Sequence, residues 1–158
     1  MANVDRPKMP GYGLLAANEG AGLMAWDDAE EKLVTARNYW VATTRPDGRP
    51  HAAPVWGLWL EGAFYFGTSP GSRKGRNLAA NPEVAVHLES GDDVVIFEGR
   101  AEQTSDPAVL ARINPVYEEK YDLEGGAGEG PVYVVRPRVA FAWLERDFPG
   151  TATRWRFA

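Results

Sequence analysis

The sequence predicts a mainly β domain of the α+β class, with six or seven antiparallel strands forming a barrel and a few short helices at its periphery. Three observations predict it. Short runs rich in β-branched and aromatic residues recur along the chain, as in Tyr39-Trp40-Val41-Ala42-Thr43-Thr44. Tight turns separate them: in Arg45-Pro46-Asp47-Gly48-Arg49, Pro46 presets φ and Asp47-Gly48 accepts positive φ. Helical patterning is confined to a few short stretches between these runs.

The elements follow in order. Residues 1–25 are rich in Gly, Pro and Ala and read as an irregular arm, so the domain proper spans 26–158. Asp27 to Ala36 reads as a helix capped by Asp27 or Asp28, with Leu33 facing the core. Strands are expected at Tyr39 to Thr44, His51 to Leu60 and Ala63 to Thr68, joined as a meander. Ser72 caps a short helix from Arg73 to Ala80, which Asn81-Pro82 stops. Val84 to Leu88 and Val94 to Ala101 are the next strands. Asp106 caps a helix reaching Tyr121, with Pro107 at its first position and a kink or split at Asn114-Pro115. Glu124 to Pro131 holds four glycines and reads as a mobile loop. Val132 to Leu144 is a long strand interrupted around Pro137, and Thr153 to Phe157 closes the chain.

Composition narrows the chemistry. The 158 residues contain no cysteine, which excludes disulfide scaffolds, thiolate metal sites and cysteine nucleophiles. The formal net charge is −5, the reverse of a general nucleic-acid binder, so nucleic acid is not an expected partner. No apolar run reaches membrane-span length and residues 1–10 carry no signal-peptide core, so a cytoplasmic protein with no membrane partner is expected. His51 and His87 are too far apart to suggest a metal site by spacing, and no Gly-x-Ser-x-Gly elbow is present. Six Trp, six Tyr and six Phe suit a flat ligand or a subunit interface as well as core packing.

Two segments carry the functional reading. Thr68-Ser69-Pro70-Gly71-Ser72-Arg73-Lys74-Gly75-Arg76-Asn77 holds three cations and no carboxylate, where a strand gives way to a helix. Free N–H groups, the Thr68 and Ser72 hydroxyls, the Arg73 guanidinium and the Lys74 ammonium would together cradle a phosphate. A solvated basic face at a helix start would look the same. In the second segment, Arg49-Pro50-His51-Ala52-Ala53-Pro54-Val55-Trp56, Pro54 removes a ladder donor and implies an edge strand or a bulge. A flat ring could lie beside the small Ala52 and Ala53; an ordinary edge strand is the other reading. His51 could polarise a ring carbonyl or simply sit half-exposed on its strand.

Together these segments resemble the pyridoxamine 5′-phosphate oxidase-like split β-barrel family of FMN- and F420-dependent oxidoreductases. The carriers are Tyr39-Trp40-Val41-Ala42-Thr43, Pro46-Asp47-Gly48-Arg49-Pro50-His51, Phe64-Tyr65-Phe66-Gly67-Thr68, Ser72-Arg73-Lys74, Asn77-Leu78, Asn81-Pro82 and Val84-Ala85-Val86. The resemblance implies a homodimer with a cofactor at each subunit interface. Arg49, His51, Ala52, Ala53, Pro54 and Val55 would line the ring. Phe66, Gly67 and Thr68 would border the ribityl chain. Ser72, Arg73 and Lys74 would hold the phosphate, and Trp155 would help close the pocket.

The cofactor would be FMN or F420. Arg49, Arg73, Lys74 and Arg76 offer the extra cations that the polyglutamate tail of F420 requires, which tilts the expectation to F420. The Arg and His arrangement by which true pyridoxamine phosphate oxidases hold their substrate is missing from the C-terminal segment, which points away from vitamin B6 oxidation. The implied activity is hydride transfer between cofactor and a small conjugated substrate, with Trp56 and Trp155 as walls and the 124–131 loop as a lid. A non-catalytic flavin or F420 carrier and a haem-binding barrel with His51 or His87 on the iron are the alternatives.

Overall fold

The computed structural model describes residues 2–128 and 130–158, so Met1 of the expected arm and Glu129 of the expected glycine-rich loop lie outside the described residues. In chain order the elements are β1 (Asn3–Asp5), α1 (Trp26–Thr35), β2 (Tyr39–Thr44), β3 (Pro50–Val55), β4 (Leu58–Leu60), β5 (Ala63–Gly67), α2 (Arg73–Ala80), β6 (Glu83–His87), β7 (Asp93–Thr104), α3 (Pro107–Tyr121), β8 (Val132–Leu144), a 3-10 turn (Glu145–Asp147), α4 (Phe148–Thr151) and β9 (Thr153–Arg156). Among the described residues no helix is long and apolar enough to cross a membrane.

Every strand pairing is antiparallel. The sheet runs β1-β9-β8-β7-β6-β2-β3, with β5 joined to β8 and β4 to β5. β8 organises it. One edge pairs with β7 along its whole length; the other pairs first with β5 and then with β9. Opposite Pro137 the β7–β8 register shifts between Glu98 and Gly99, so the strand that was expected to break bends instead. A methyl group at Gly99 would stand 2.6 Å from the Arg136 carbonyl oxygen, which is why glycine occupies the bend.

The expected class holds, with one correction to the count. Among the described residues nine strands form rather than six or seven, and the end strands β1 and β3 do not pair with each other, so the sheet stays open. One extra strand arises because His51 to Leu60 divides at Gly57, whose N–H donates to the Tyr121 hydroxyl at 2.9 Å and pulls the chain out of line. The other lies in the arm expected to be irregular: Asp5 forms a two-pronged ion pair with Arg154, at 2.8 and 2.6 Å, and fixes β1 on β9.

Two helix details also differ. Asp27 and Asp28 lie inside the first turn of α1, where they face the positive end of its dipole, and no side chain caps that helix. Pro115 does not split α3, because Ile113, Tyr117 and Tyr121 are buried on both sides of it and hold one helix in place. The Ser72 and Asp106 caps form as expected, accepting from the N–H groups of Gly75 and Ala108 at 3.0 and 2.9 Å.

The core divides in two. Leu33, Tyr39, Val41, Phe64, Phe66, Phe97 and Trp155 belong to a cluster between the sheet and α1. Tyr65, Ile113, Tyr117, Tyr121 and Val134 belong to a second one beneath α3. β5 is buried on both faces between them, which explains its unbroken Ala63-Phe64-Tyr65-Phe66 run.

Candidate functional site

The site is built where the end of the β2–β3 hairpin meets α2. Thr43 and His51 are register partners, and on this face of the hairpin Tyr39, Val41 and Thr43 turn inward. Asn77 of α2 is completely buried, and its Nδ2 donates to Thr43 Oγ1 at 3.0 Å. That bond sets the start of α2 against the hairpin. Arg73 and Lys74, one turn upstream, are thereby delivered beside His51 and Arg45; the charges of Lys74, Arg45 and Arg73 all bear on the imidazole.

The loop before α2 is internally braced. Ser72 Oγ donates to the Ser69 carbonyl at 2.7 Å, accepts from the Gly75 N–H and lies 2.9 Å from Thr68 Oγ1. Gly75 is buried, and a methyl group there would stand 2.3 Å from the Ser69 carbonyl oxygen and 2.8 Å from that of Pro70. Only glycine lets the loop fold this tightly onto its helix.

Three buried polar atoms in this region have no hydrogen-bond partner: Arg45 Nε, His51 Nδ1 and Asn77 Oδ1. Buried polar groups are almost always satisfied, so the idle Arg45 donor, grouped with other cations, marks a place where an acceptor belongs. The electrostatics agree. Burial lowers the pKa of His51, and the charges of Lys74, Arg45 and Arg73 lower it further. Burial likewise pulls the Lys74 amine below its ordinary range. The residues present therefore fit a phosphate-bearing group, which their cations would neutralise and their free donors would bond.

The expected ring-binding stretch is split by its own pleat. His51, Ala53 and Val55 are half-buried on the α2 side, while Ala52 and Pro54 are exposed on the other face. Pro54 sits where it was expected, on an edge strand, since β3 ends the sheet. Arg49 is engaged locally: it meets Asp47 through Nε and Nη2, each at 2.9 Å, and its side chain is 68% exposed. Arg45, which sequence reasoning treated only as a turn residue, is the hairpin cation that bears on the cluster. Its one sequence signal was its place in the hairpin, two residues beyond the inward-facing Thr43.

Gly67 and Thr68 meet the glycine-rich loop directly. A methyl group on Gly67 would stand 2.4 Å from the Ala127 carbonyl oxygen, and the Thr68 N–H points to the Pro131 carbonyl at 3.4 Å. The loop is tethered to α3 as well, since Glu118 Oε1 accepts from the N–H groups of Gly125 and Gly126 at 3.2 and 2.9 Å.

Trp155, expected as a wall, and Phe66, expected beside the ribityl chain, both bury their rings in the core. Trp155 is 1% exposed and packs edge-on against Trp26 in the core, so its ring closes no cleft in this subunit. The Phe66 ring is fully buried and stacks on Phe64 and Tyr133, leaving only its backbone to border a ligand. Trp56 does reach the surface, 40% exposed and stacked on Tyr121 at 4.5 Å between centroids. His87 is occupied otherwise: its Nδ1 pairs with the Leu88 carbonyl at 2.7 Å and its ring stacks on Trp40. No group of three potential metal ligands is present among the described residues.

An open antiparallel sheet with a basic strand-to-helix loop beside its edge hairpin has the architecture of a split β-barrel. Comparison with known proteins narrows this. The family model described as pyridoxamine 5′-phosphate oxidase matches residues 25–145, and the chain belongs to that family. It is 41% identical over 99 residues to a pyridoxine/pyridoxamine 5′-phosphate oxidase of Gluconobacter oxydans (strain 621H), a match covering 58% of this chain and 48% of that one. The chain thus spans about half the length of the curated relative it matches.

Among solved structures it is similar to a conserved hypothetical protein of Mycobacterium tuberculosis, with TM-score 0.67, 26% identity, and 78% and 86% of the two chains covered. It is also similar to an F420 reductase, with TM-score 0.56, 27% identity, and 70% and 94% covered. A FAD-binding protein of Mesorhizobium loti shares the fold, with TM-score 0.61 at 18% identity and 85% and 96% covered.

Proposed function

We propose that the protein is an F420- or FMN-dependent oxidoreductase that binds its cofactor between two identical subunits, with the balance of cations favouring F420. The observation that carries this reading is the pair of unpartnered buried atoms, Arg45 Nε and His51 Nδ1, grouped with Arg73 and Lys74. Arg45, Arg73 and Lys74 would hold the phosphate. The Gly67-Thr68 backbone would border the sugar-like chain, and the half-buried His51, Ala53 and Val55 would lie along the ring. A flavin or deazaflavin, when bound, supplies the hydride exchange with a small conjugated substrate. The protein's own task is to grip the anionic end, orient the ring and exclude water with the tethered 124–131 loop.

The second subunit is proposed to dock on the other face of the hairpin. There Ala52, Ala42 and Ala85 form a row in register across β3, β2 and β6, with Pro54, Trp40 and His87 in the next row. A row of small residues beside the stacked Trp40 and His87 rings suits close approach of a second copy.

The test is fluorescence titration with FMN and with reduced F420. The double variant Arg73→Ala/Lys74→Ala should bind at least about 100-fold more weakly, since each charge-assisted bond is worth roughly 1.5–3 kcal/mol. Affinity no tighter than millimolar for both cofactors in the unmodified protein rejects the proposal. Tight binding without turnover of any conjugated acceptor makes the protein a cofactor carrier instead.

A further inference from the structure

We propose that capture of a phosphate-type anion at Arg45, Arg73 and Lys74 is accompanied by proton uptake at His51, so that the site grips anions more tightly as the solution becomes more acidic. This rests on the cofactor-site reading and concerns how that site responds to pH.

The argument begins with what surrounds the imidazole. His51 stands on the edge strand β3, opposite Thr43. The charges that bear on it are those of Arg45 at the hairpin end and of Arg73 and Lys74 on α2. The one carboxylate of the hairpin turn, Asp47, is bound by Arg49 through both its side chain and its backbone, and also lies in the field of Arg45 and Arg73. No carboxylate acts on the imidazole to favour its charged form; each charge bearing on it is positive. His51 Nδ1 is also buried and unpartnered, so the ring gains nothing from a fixed hydrogen bond in either state.

A histidine in this setting is disfavoured as a cation by desolvation and by like charge together. Both conditions change when a dianion enters. The positive field of the three cations is cancelled, and an acceptor arrives for the idle ring N–H. Protonation then adds a fourth favourable charge next to the anion. By linkage, the anion binds more tightly under the conditions that protonate His51. The handle is selective, because the chain has two histidines and His87 is committed to the Leu88 carbonyl and the Trp40 ring.

Sulfate is the suitable probe, since it stays a dianion throughout the range in which histidine titrates. Calorimetric titration with sulfate at pH 8 and at pH 5.5, in two buffers of different ionisation enthalpy, reads affinity and proton uptake together. Sulfate should bind about tenfold more tightly at the lower pH, the change expected if binding raises the histidine pKa by about one unit. It should take up about half a proton near the midpoint, the most that a one-unit shift allows. The His51 ring resonance should titrate at higher pH with sulfate present. His51→Gln should still bind sulfate, with an affinity flat in pH and no proton uptake. If the unmodified protein binds sulfate equally at both pH values, or if the His51→Gln variant keeps the same pH dependence, the inference is overturned while the anion cradle stands. If neither sulfate nor FMN binds at any pH, the cradle itself is wrong and the inference falls with it.

Discussion

Gly75 has no side chain, yet the anion site depends on it. The Ser69 and Pro70 carbonyls close over its Cα so tightly that any larger residue must push the loop away from α2. Gly75→Ala should therefore displace Ser72, weaken the cap and lower FMN affinity by at least about tenfold, a loss of roughly 1.4 kcal/mol. A fluorescence titration reads the affinity, and a thermal melt shows whether the fold persists. Asn77 is the other residue on which the site turns. It spends its amide on Thr43 and holds the helix start against the hairpin.

Lys120 shows residue-scale chemistry away from the site. Its ammonium donates to the Tyr39 hydroxyl at 2.7 Å and the Gly57 carbonyl at 3.0 Å. Burial, helped by the charge of Arg37, pushes its pKa down to about 8. The folded group loses its proton before the unfolded one does. Between about pH 8 and 10 the unfolded chain thus holds more protons, and stability rises with pH. The tyrosines act oppositely: burial raises the pKa of Tyr39 and Tyr121, and pushes that of Tyr117 up to about 12. Above about pH 10 the unfolded chain sheds tyrosine protons that the folded one keeps, so stability falls. The Tm should rise from pH 8 toward 10 and then drop. In Lys120→Met the rise should shrink to the part that Lys74 contributes, and the drop should remain.

At the scale of elements, β1 is the least self-sufficient strand. Three residues long, it is held by the Asp5 carboxylate against Arg154 and Arg156. The Arg154 hydrogen bond, and then the arginine charges, keep the Asp5 carboxyl below the usual carboxylate range. Its contribution is present above the unfolded pKa, near 4, and is lost as pH falls through the lower folded value. Asp5→Asn should release β1 at neutral pH. Amide exchange at Asn3–Asp5 should accelerate while β7 and β8 stay protected, a pattern hydrogen-exchange mass spectrometry resolves.

The helices were legible to different depths for a related reason. Ser72 and Asp106 announce their caps locally, because capping is a short-range bond. The continuity of α3 through Pro115 was not legible, because the burial of Ile113, Tyr117 and Tyr121 that sustains it comes from strands far away in the chain.

For the whole molecule, the open sheet leaves one face of β3, β2 and β6 carrying its row of three alanines. If a second copy docks there, Ala85→Arg should convert a dimer to a monomer in light scattering and weaken FMN binding, while leaving the melting curve of the single subunit nearly unchanged. An unaltered oligomeric state would remove this face from the proposal.

The sequence by itself determined the mainly β class, the hairpin turn, the edge character of the Pro54 strand and the basic loop ahead of α2. Each of these is written in neighbouring residues: alternation, turn chemistry, a missing N–H, a local excess of cations. Tertiary structure alone decided that Arg45 rather than Arg49 bears on the cluster, since Asp47 captures Arg49 and the inward side of the hairpin brings Arg45 to Arg73 and Lys74. It also decided that Trp155 belongs to the core and not to a pocket wall. The reason is the same in both cases. A side chain's partner is fixed by which face of a strand it occupies and by what packs there, and that packing is set by residues scores of positions away.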